Sequence, residues 1–327
     1  GGAGGLLGMT AGDPFLVDKP DMIDTSKFLY EQKLFFNGPI TERTNLRQFI
    51  ADVAPYFLCN FVVTDGKFSL KPAFPVNSLG QFNQGAVPIA QLFTEGNILE
   101  DSYKVEYLGG EERRTFQAIV RYRQENPNKL PEEKAVTVKG TGGGYSDSRV
   151  ELLPQEQFDL TTFCTSEHHA VMVAKYFLSL RKLVTHTISF STTLDGLNIA
   201  AGSYIKVATR SSPYSSARNG TINAAGAVTS LTDFADGQYR VNYFKADSED
   251  VQDGVMTVSN KTVSESTFAS SVFAMIDDSV SQNVYVVEQL TFSQEGTVDI
   301  VASEHPCFSD GRSKLVNAIL FDSFKIF

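Results

Sequence analysis

The clearest pattern in the chain lies in residues 158–207. Ala170, Val173, Ala174, Phe177 and Leu178 fall at i, i+3, i+4, i+7 and i+8, one face of a helix. Thr165 stands where a cap is needed. Glu167 sits in the first turn, and Arg181 and Lys182 sit near the other end, each where the helix dipole favours its charge. The period then drops to two: Thr187, Ser189, Ser191 and Thr193 alternate with Ile188 and Phe190, as in a half-buried strand. Asp195-Gly196 predicts a turn, and residues 203–209 a second strand. Nothing in this stretch is arranged for chemistry; it reads as scaffold.

The same reading divides the rest. Residues 1–21 are linker-like. In 22–98, Leu46, Phe49, Ile50 and Val53 form an apolar stripe behind Thr44, a short capped helix. Residues 60–64 and 67–71 flank Asp65-Gly66, the strongest hairpin signal in the chain, while 75–98 reads as loop. That makes a small α+β module. Residues 99–160 form a β module. Strands are predicted over 102–108, 115–123 and 135–139, with a polar loop at 124–134 and a glycine-rich loop at 140–148.

Residues 161–308 open with the helix above and continue as short strands separated by turns, including Asn219-Gly220. This predicts a β-barrel or sandwich with the helix packed across it. A short helix over 268–276 is an alternative to strand there. Residues 309–327 predict a helix and then an apolar strand that needs a partner. The fold class is therefore α+β and β-rich: several small modules, including β-barrel domains with packed helices.

Composition narrows the function. The 327-residue chain is 42 % hydrophobic, enough for real cores. Its net charge of −10 lacks the basic footprint of a nucleic-acid-binding surface, though it suits a wall past which DNA slides. With 25 Phe and no Trp, the aromatic content reads as core. Cys59, Cys164 and Cys307 are too scattered for a zinc or redox motif and read as buried thiols made in a reducing compartment. There is neither a long apolar run nor a signal-peptide pattern.

Candidate chemistry is thin. Cys164 lies just before the helix with His168 four residues on, the spacing of an activated thiol, but no second base or oxyanion element accompanies it. His168 and His169 point about 100° apart on a helix, which suits solvated or cap-region histidines better than ligands to one metal. The loop from Gly140 to Tyr145 lacks the Lys-Ser/Thr of a phosphate loop. Asp247, Glu249, Asp250 and Asp253 lack EF-hand spacing. Glu111-Glu112 and Glu132-Glu133 read as surface charge, and the sequons at Asn219 and Asn260 carry no weight without a secretory signal. No catalytic, cofactor-binding or metal-ligating residue is assigned, and no cofactor is expected.

A resemblance gathers these pieces. Phe163-Cys164-Thr165-Ser166, then residues 187–190, then Gly196-Leu197 through Gly202-Ser203-Tyr204-Ile205-Lys206-Val207 resemble a segment of the lambda J-like tail-tip attachment (host-specificity) proteins of long-tailed phages. Ala201 and Ser203 stand where that family has Pro and Asp. Residues 36–40 through Asp65-Gly66-Lys67 resemble the family's helix and hairpin, and residues 285–288 through 297–302 its strand pair. The resemblance implies a structural virion protein: the central baseplate hub portion of the tail tip. It would be a homotrimer whose barrel domains close the tail tube and open for DNA ejection. Its neighbours would be the distal tail protein, tail tube, tape measure and receptor-binding fibre, with the host surface met indirectly. It would be made in the host cytoplasm and reside in the virion. The family's upstream domain and long fibre are missing, which suggests a fragment or a hub-only version. The alternatives are a tail-associated peptidoglycan hydrolase and a stand-alone carbohydrate-binding β module. The off-face lysines, Lys175 and Lys182, are the expected docking face for a neighbouring subunit.

Overall fold

The computed structural model describes residues 17–327 except 41–44, 65, 127–128, 142–144, 146–152, 194–198, 210–218, 231–234, 246, 249, 276–283, 294–295 and 323. The fold is α+β and β-rich, 21 % helix and 44 % strand. The chain forms two compact units, both discontinuous: Gly1–Gln84, Gly109–Leu183 and Leu315–Phe327 make unit 1, and Gly85–Leu108 with Val184–Lys314 makes unit 2.

Unit 1 begins with α1 (Lys19–Glu31), started by the Asp18 side chain and an early Pro. Sequence pattern missed this helix because its apolar residues split: Phe28 is buried while Ile23 and Tyr30 are exposed. α2 (Leu46–Val53) follows, capped by Asn45, whose side chain accepts from the backbone of Arg47 and Gln48. The predicted cap, Thr44, lies outside the described residues. The hairpin of β1 (Cys59–Thr64) and β2 (Lys67–Pro72) closes with Thr64 opposite Lys67, leaving a two-residue turn in which Gly66 has φ +74°.

Unit 1 also contains β5 (Gln117–Asn126), β6 (Lys129–Gly140), β7 (Gln155–Asp159), α3 (Glu167–Leu183), α4 (Lys314–Phe321) and β18 (Phe324–Ile326). Its four-stranded sheet runs β18-β6-β5-β7. Residues 124–126 and 129–134 of the predicted polar loop are instead the distal part of the β5–β6 pair, which runs out to Asn126 opposite Lys129. Alternation fails there because residues 129–135 are exposed on both faces.

Ala170, Val173, Ala174 and Leu178 of α3 share one core with Ala118 and Val120 of β5, Val136 and Val138 of β6, and Leu315, Val316 and Ile319 of α4. Aromatic rings tie it together: Phe158 stacks on Phe177 at 4.9 Å and 4°. Such pairs add about 0.5–1.5 kcal/mol beyond their burial. The expectation that α3 crosses a barrel built from the strands after it gives way to this packing, since α3 belongs to unit 1 and those strands to unit 2.

Unit 2 holds two six-stranded sheets. The first runs β3 (Gln91–Thr94), β9 (Tyr204–Ala208), β16 (Val284–Phe292), β17 (Val298–Glu304), β8 (His186–Thr192), β4 (Lys104–Tyr107). β8 shows the predicted alternation residue by residue. β3 lies in the stretch read as loop. The sheet curls around Phe93, Ile188, Phe190, Ile205, Tyr285 and Ile300, and Ile98 bridges from the β3–β4 connection to Thr192 on β8.

The second sheet runs β11 (Val228–Thr229), β10 (Asn219–Ile222), β15 (Ser271–Met275), β12 (Gly237–Lys245), β13 (Gln252–Ser259), β14 (Thr262–Val263). Ala227 bridges to Thr262, so the two outer strands nearly meet and the barrel almost closes. Asn219-Gly220 is not a turn but the start of β10. A Cβ on Gly220 would stand 2.2 Å from the Thr229 carbonyl oxygen, so glycine is needed there for close approach. Strand, not helix, occupies Ser271–Met275. The predicted turn at Asp195-Gly196 lies outside the described residues.

Candidate functional site

The motif that looked most like chemistry sits at the start of α3. Cys164 is fully buried behind the Leu160 turn, its backbone N–H donating to the Leu160 carbonyl at 2.8 Å. Burial pushes its thiol pKa up, against backbone hydrogen bonds at Ser166 and Ala170 that pull it down. A nucleophilic thiol needs the opposite shift. His168 is exposed and its Nε2 lies 3.1 Å from the Gln32 carbonyl oxygen. His169 is not the solvated residue its neighbours predict. It is buried, with Nε2 at 2.7 Å from the Tyr56 carbonyl oxygen and its ring 4.9 Å from that of Phe57. Burial lowers its pKa, so the neutral ring is favoured. Thr165 accepts from the Asn37 side-chain amide at 2.8 Å. The cluster therefore ties α3 to α1, the 3-10 turn Ala54–Phe57 and the residue 37 segment.

The other sequence candidates separate. In the glycine-rich loop Tyr145 is buried, its hydroxyl donating to Asp322 at 3.0 Å. Most of that loop lies outside the described residues, as does Glu249 of the acidic stretch. Among the described residues no group of three or more His, Cys, Asp or Glu is placed to hold a metal ion, and no helix is long and apolar enough to cross a membrane. Glu133 pairs with Arg121 at 2.6 Å, and Glu112 accepts from the Gly109 backbone at 2.6 Å, as surface charges do.

Two polar groupings form in unit 2, of which the sequence reading had singled out only Asp250 and Asp253 of the second. The first is buried. Glu304 Oε2 accepts from the Thr185 backbone at 2.7 Å and its hydroxyl at 2.6 Å, and lies 3.4 Å from His186 Nδ1. His186 Nε2 is 3.0 Å from the Tyr285 hydroxyl. Desolvation raises the Glu304 pKa, but hydrogen bonds to His186 and Thr185 outweigh it and the net shift is downward. The next residue, His305, is fully buried against Ser313 Oγ at 2.9 Å and the Tyr204 ring, and burial drives its pKa down to about 4.

The second lines a cavity of about 470 Å³ whose wall includes Lys206, Arg240, Asn242, Asp250, Asp253 and Asp310. Lys206 donates to the Asn242 side chain, which in turn donates to Asp253. Burial lowers the Lys206 pKa to about 8, against attraction to Asp253. Asp310 pairs with Arg312 at 2.6 Å. Both signs of charge are largely met within the wall, which suits a polar network that sets strand register more than an acid–base pair aimed at a substrate. Proximity in sequence announced only Asp250 and Asp253; the other members are brought together from distant parts of the chain.

No protein-family model matches the chain, and no curated protein matches it. Similar solved structures exist. A chain in the virion of a native gene transfer agent particle aligns over 78 % of this chain at 10 % identity with a TM-score of 0.39, and this chain spans 38 % of its length. A tail protein from Neisseria meningitidis MC58 aligns over 89 % at 10 % identity with a TM-score of 0.36, covering 68 % of that chain. The 43 kDa tail protein of prophage MuSo2 from Shewanella oneidensis aligns over 91 % at 8 % identity with a TM-score of 0.32, covering 70 % of that chain.

Proposed function

We propose that the chain is a structural component of a phage-type tail tip, a hub that closes the tail tube, joins it to a receptor-binding fibre and opens for DNA ejection. In this reading it is a homotrimer in the virion, made in the host cytoplasm, contacting the distal tail protein, tail tube and tape measure, and it is not an enzyme. The observation that carries the reading is where the tail-tip motifs fall. Residues 187–190 lie on β8, 202–207 run into β9, 285–288 lie on β16 and 297–302 run into β17. Separated by up to about a hundred residues, they stand side by side as β9-β16-β17-β8 in one sheet. A motif set that converges on one barrel sheet fits a scaffold better than a catalytic site.

The state of Cys164 supports the non-enzymatic part, since a thiol kept protonated by burial is a poor nucleophile. The net charge of −10 suits a conduit past which DNA slides without binding. The five-segment division, 1–21, 22–98, 99–160, 161–308 and 309–327, belongs to the same proposal as a division of the sequence into modules, and it cuts differently from the two discontinuous units. Solution mass by light scattering tests the assembly, and threefold density at the tip of the particle tests the placement. A stable monomer, absent from the tail tip, overturns the reading.

A further inference from the structure

β18 occupies an unusual place in unit 1. It completes the sheet by pairing Phe324 with Gly140, Lys325 with Lys139 and Ile326 with Val138 on β6, and Phe327 and Thr137 exchange backbone hydrogen bonds at 2.9 and 3.1 Å. Its side-chain contacts complement lysines. Lys182 meets Asp322 at 3.1 Å and lies 3.8 Å from the centre of the Tyr145 ring; Lys175 lies 5.4 Å from the Phe324 ring and Lys139 5.0 Å from that of Phe327. These are the same α3 lysines that the sequence offered as a docking face, and the chain's own segment covers them.

The segment is nevertheless shallow. Phe324 is half-buried, Lys325, Ile326 and Phe327 are exposed, and Leu320 and Phe321 just before them are exposed too. Leu320, Phe321, Ile326 and Phe327 thus place four large apolar side chains in solvent within eight residues. α4 ends at Phe321 and β18 begins at Phe324, and a short connection before an edge strand is where copies exchange elements. Along β6, the edge beyond Thr137 runs on through Val136 to Lys129, and β18 does not cover it.

We propose that β18 is an exchange strand: in the assembled protein it pairs with β6 of a second copy, in the register seen within one chain. A second copy is the occupant that fits, because Asp322 and the two phenylalanines already match the lysines of α3 and β6 in charge and spacing, and every copy carries the same surface. Exchange keeps those contacts. The proposal rests on the reading that the chain assembles with itself, and it names the contact.

Registered cysteines test it. Lys139→Cys and Lys325→Cys are made as two separate proteins, co-expressed, purified and oxidised; the native Cys59, Cys164 and Cys307 are buried and stay out of the reaction. Exchange predicts that about half of the chains, the share expected for random pairing of two equally expressed variants, join into a species of twice the chain mass, absent when either variant is oxidised alone. The double variant K139C/K325C in one chain is the companion. If it closes within single chains while the mixed pair stays unlinked, exchange is overturned. Light scattering on the unoxidised protein then separates the two ideas: an oligomer without cross-links rejects only the exchange strand, whereas a monomer rejects the assembly reading as well.

Discussion

Two histidine clusters, one in each unit, differ in a way that neither residue type nor spacing announces. In unit 1, Cys164, His168 and His169 are near neighbours in sequence, yet they face apart: a buried protonated thiol, an exposed imidazole on the Gln32 carbonyl, a buried imidazole on the Tyr56 carbonyl. In unit 2, His186 and Glu304 are 118 residues apart in sequence and 3.4 Å apart in space. Proximity along a helix scatters side chains around its axis, whereas adjacent antiparallel strands bring distant residues onto one face. The cluster that looked chemical is three separate attachments. The one that looked like nothing is a connected network.

The largest expected effect comes from breaking that network. Glu304→Ala leaves the Thr185 backbone N–H and His186 without their shared acceptor inside unit 2. A loss of about 3–5 kcal/mol is expected, read as a lower denaturant midpoint for unit 2. Glu304→Gln, which keeps an acceptor, falls between it and wild type. Equal midpoints for all three proteins would mean that the network contributes nothing.

Acid sharpens the same contrast. Folded His305 holds its proton less tightly than the unfolded chain, with a pKa of about 4 against an ordinary 6.5. Between those values the unfolded state takes up the proton that the folded state refuses, so stability falls as pH drops from about 6.5 toward 4. The loss is about 3 kcal/mol across the window. His305→Gln is expected to flatten the Tm-against-pH curve there. What remains at lower pH belongs in part to Glu304. Its depressed folded pKa contributes stability above its ordinary value of 4.5, and that stability disappears as pH falls through the folded value. A variant whose slope between pH 6.5 and 5 equals that of the wild type would assign the titration elsewhere, His169 being the other histidine whose pKa burial lowers.

A smaller effect has the opposite sign. Gln91 on β3 is fully buried, and neither atom of its side-chain amide has a hydrogen-bond partner among the described residues. It lies on the same strand face as Phe93, within the first sheet's core. Gln91→Leu is expected to raise the midpoint by about 1 kcal/mol, since the buried amide's desolvation goes uncompensated in the wild type. Destabilisation of that size would mean the amide is satisfied in solution. The smallest effect is at His168, where His168→Ala is expected to move stability by less than about 0.5 kcal/mol and leave assembly unchanged.

Local rules carried the sequence reading wherever a neighbour in sequence was also the neighbour in space. The Asp65-Gly66 hairpin, the apolar face of α3 and the alternation of β8 were all legible for that reason. Elsewhere a distant partner decided. Asn219-Gly220 has turn chemistry, but Thr229 needs a residue without a side chain beside it, and the pair became strand. Residues 124–134 lack alternation because much of the distal β5–β6 pair is exposed, so polarity imitated a loop. The terminal strand expected over 320–327 was read as needing a partner; helix α4 runs on to Phe321, the strand is only β18, and β6 supplies its partner within the chain. The polar groupings of unit 2 and the discontinuous units were beyond any window of sequence, because each depends on which strands meet.

The discontinuity also fixes an order in time. Unit 1 draws its core from three stretches, and Leu315, Val316 and Ile319 reach it only after the whole of Val184–Lys314 has been synthesised. At about 5–20 residues per second, the β5–β6–α3 assembly waits on the ribosome for roughly 7–26 s with part of its apolar surface uncovered. Unit 2, whose strands from β8 to β17 emerge almost in succession, is free to close first. The nascent chain is thus built like a clasp, with the catch made after the buckle.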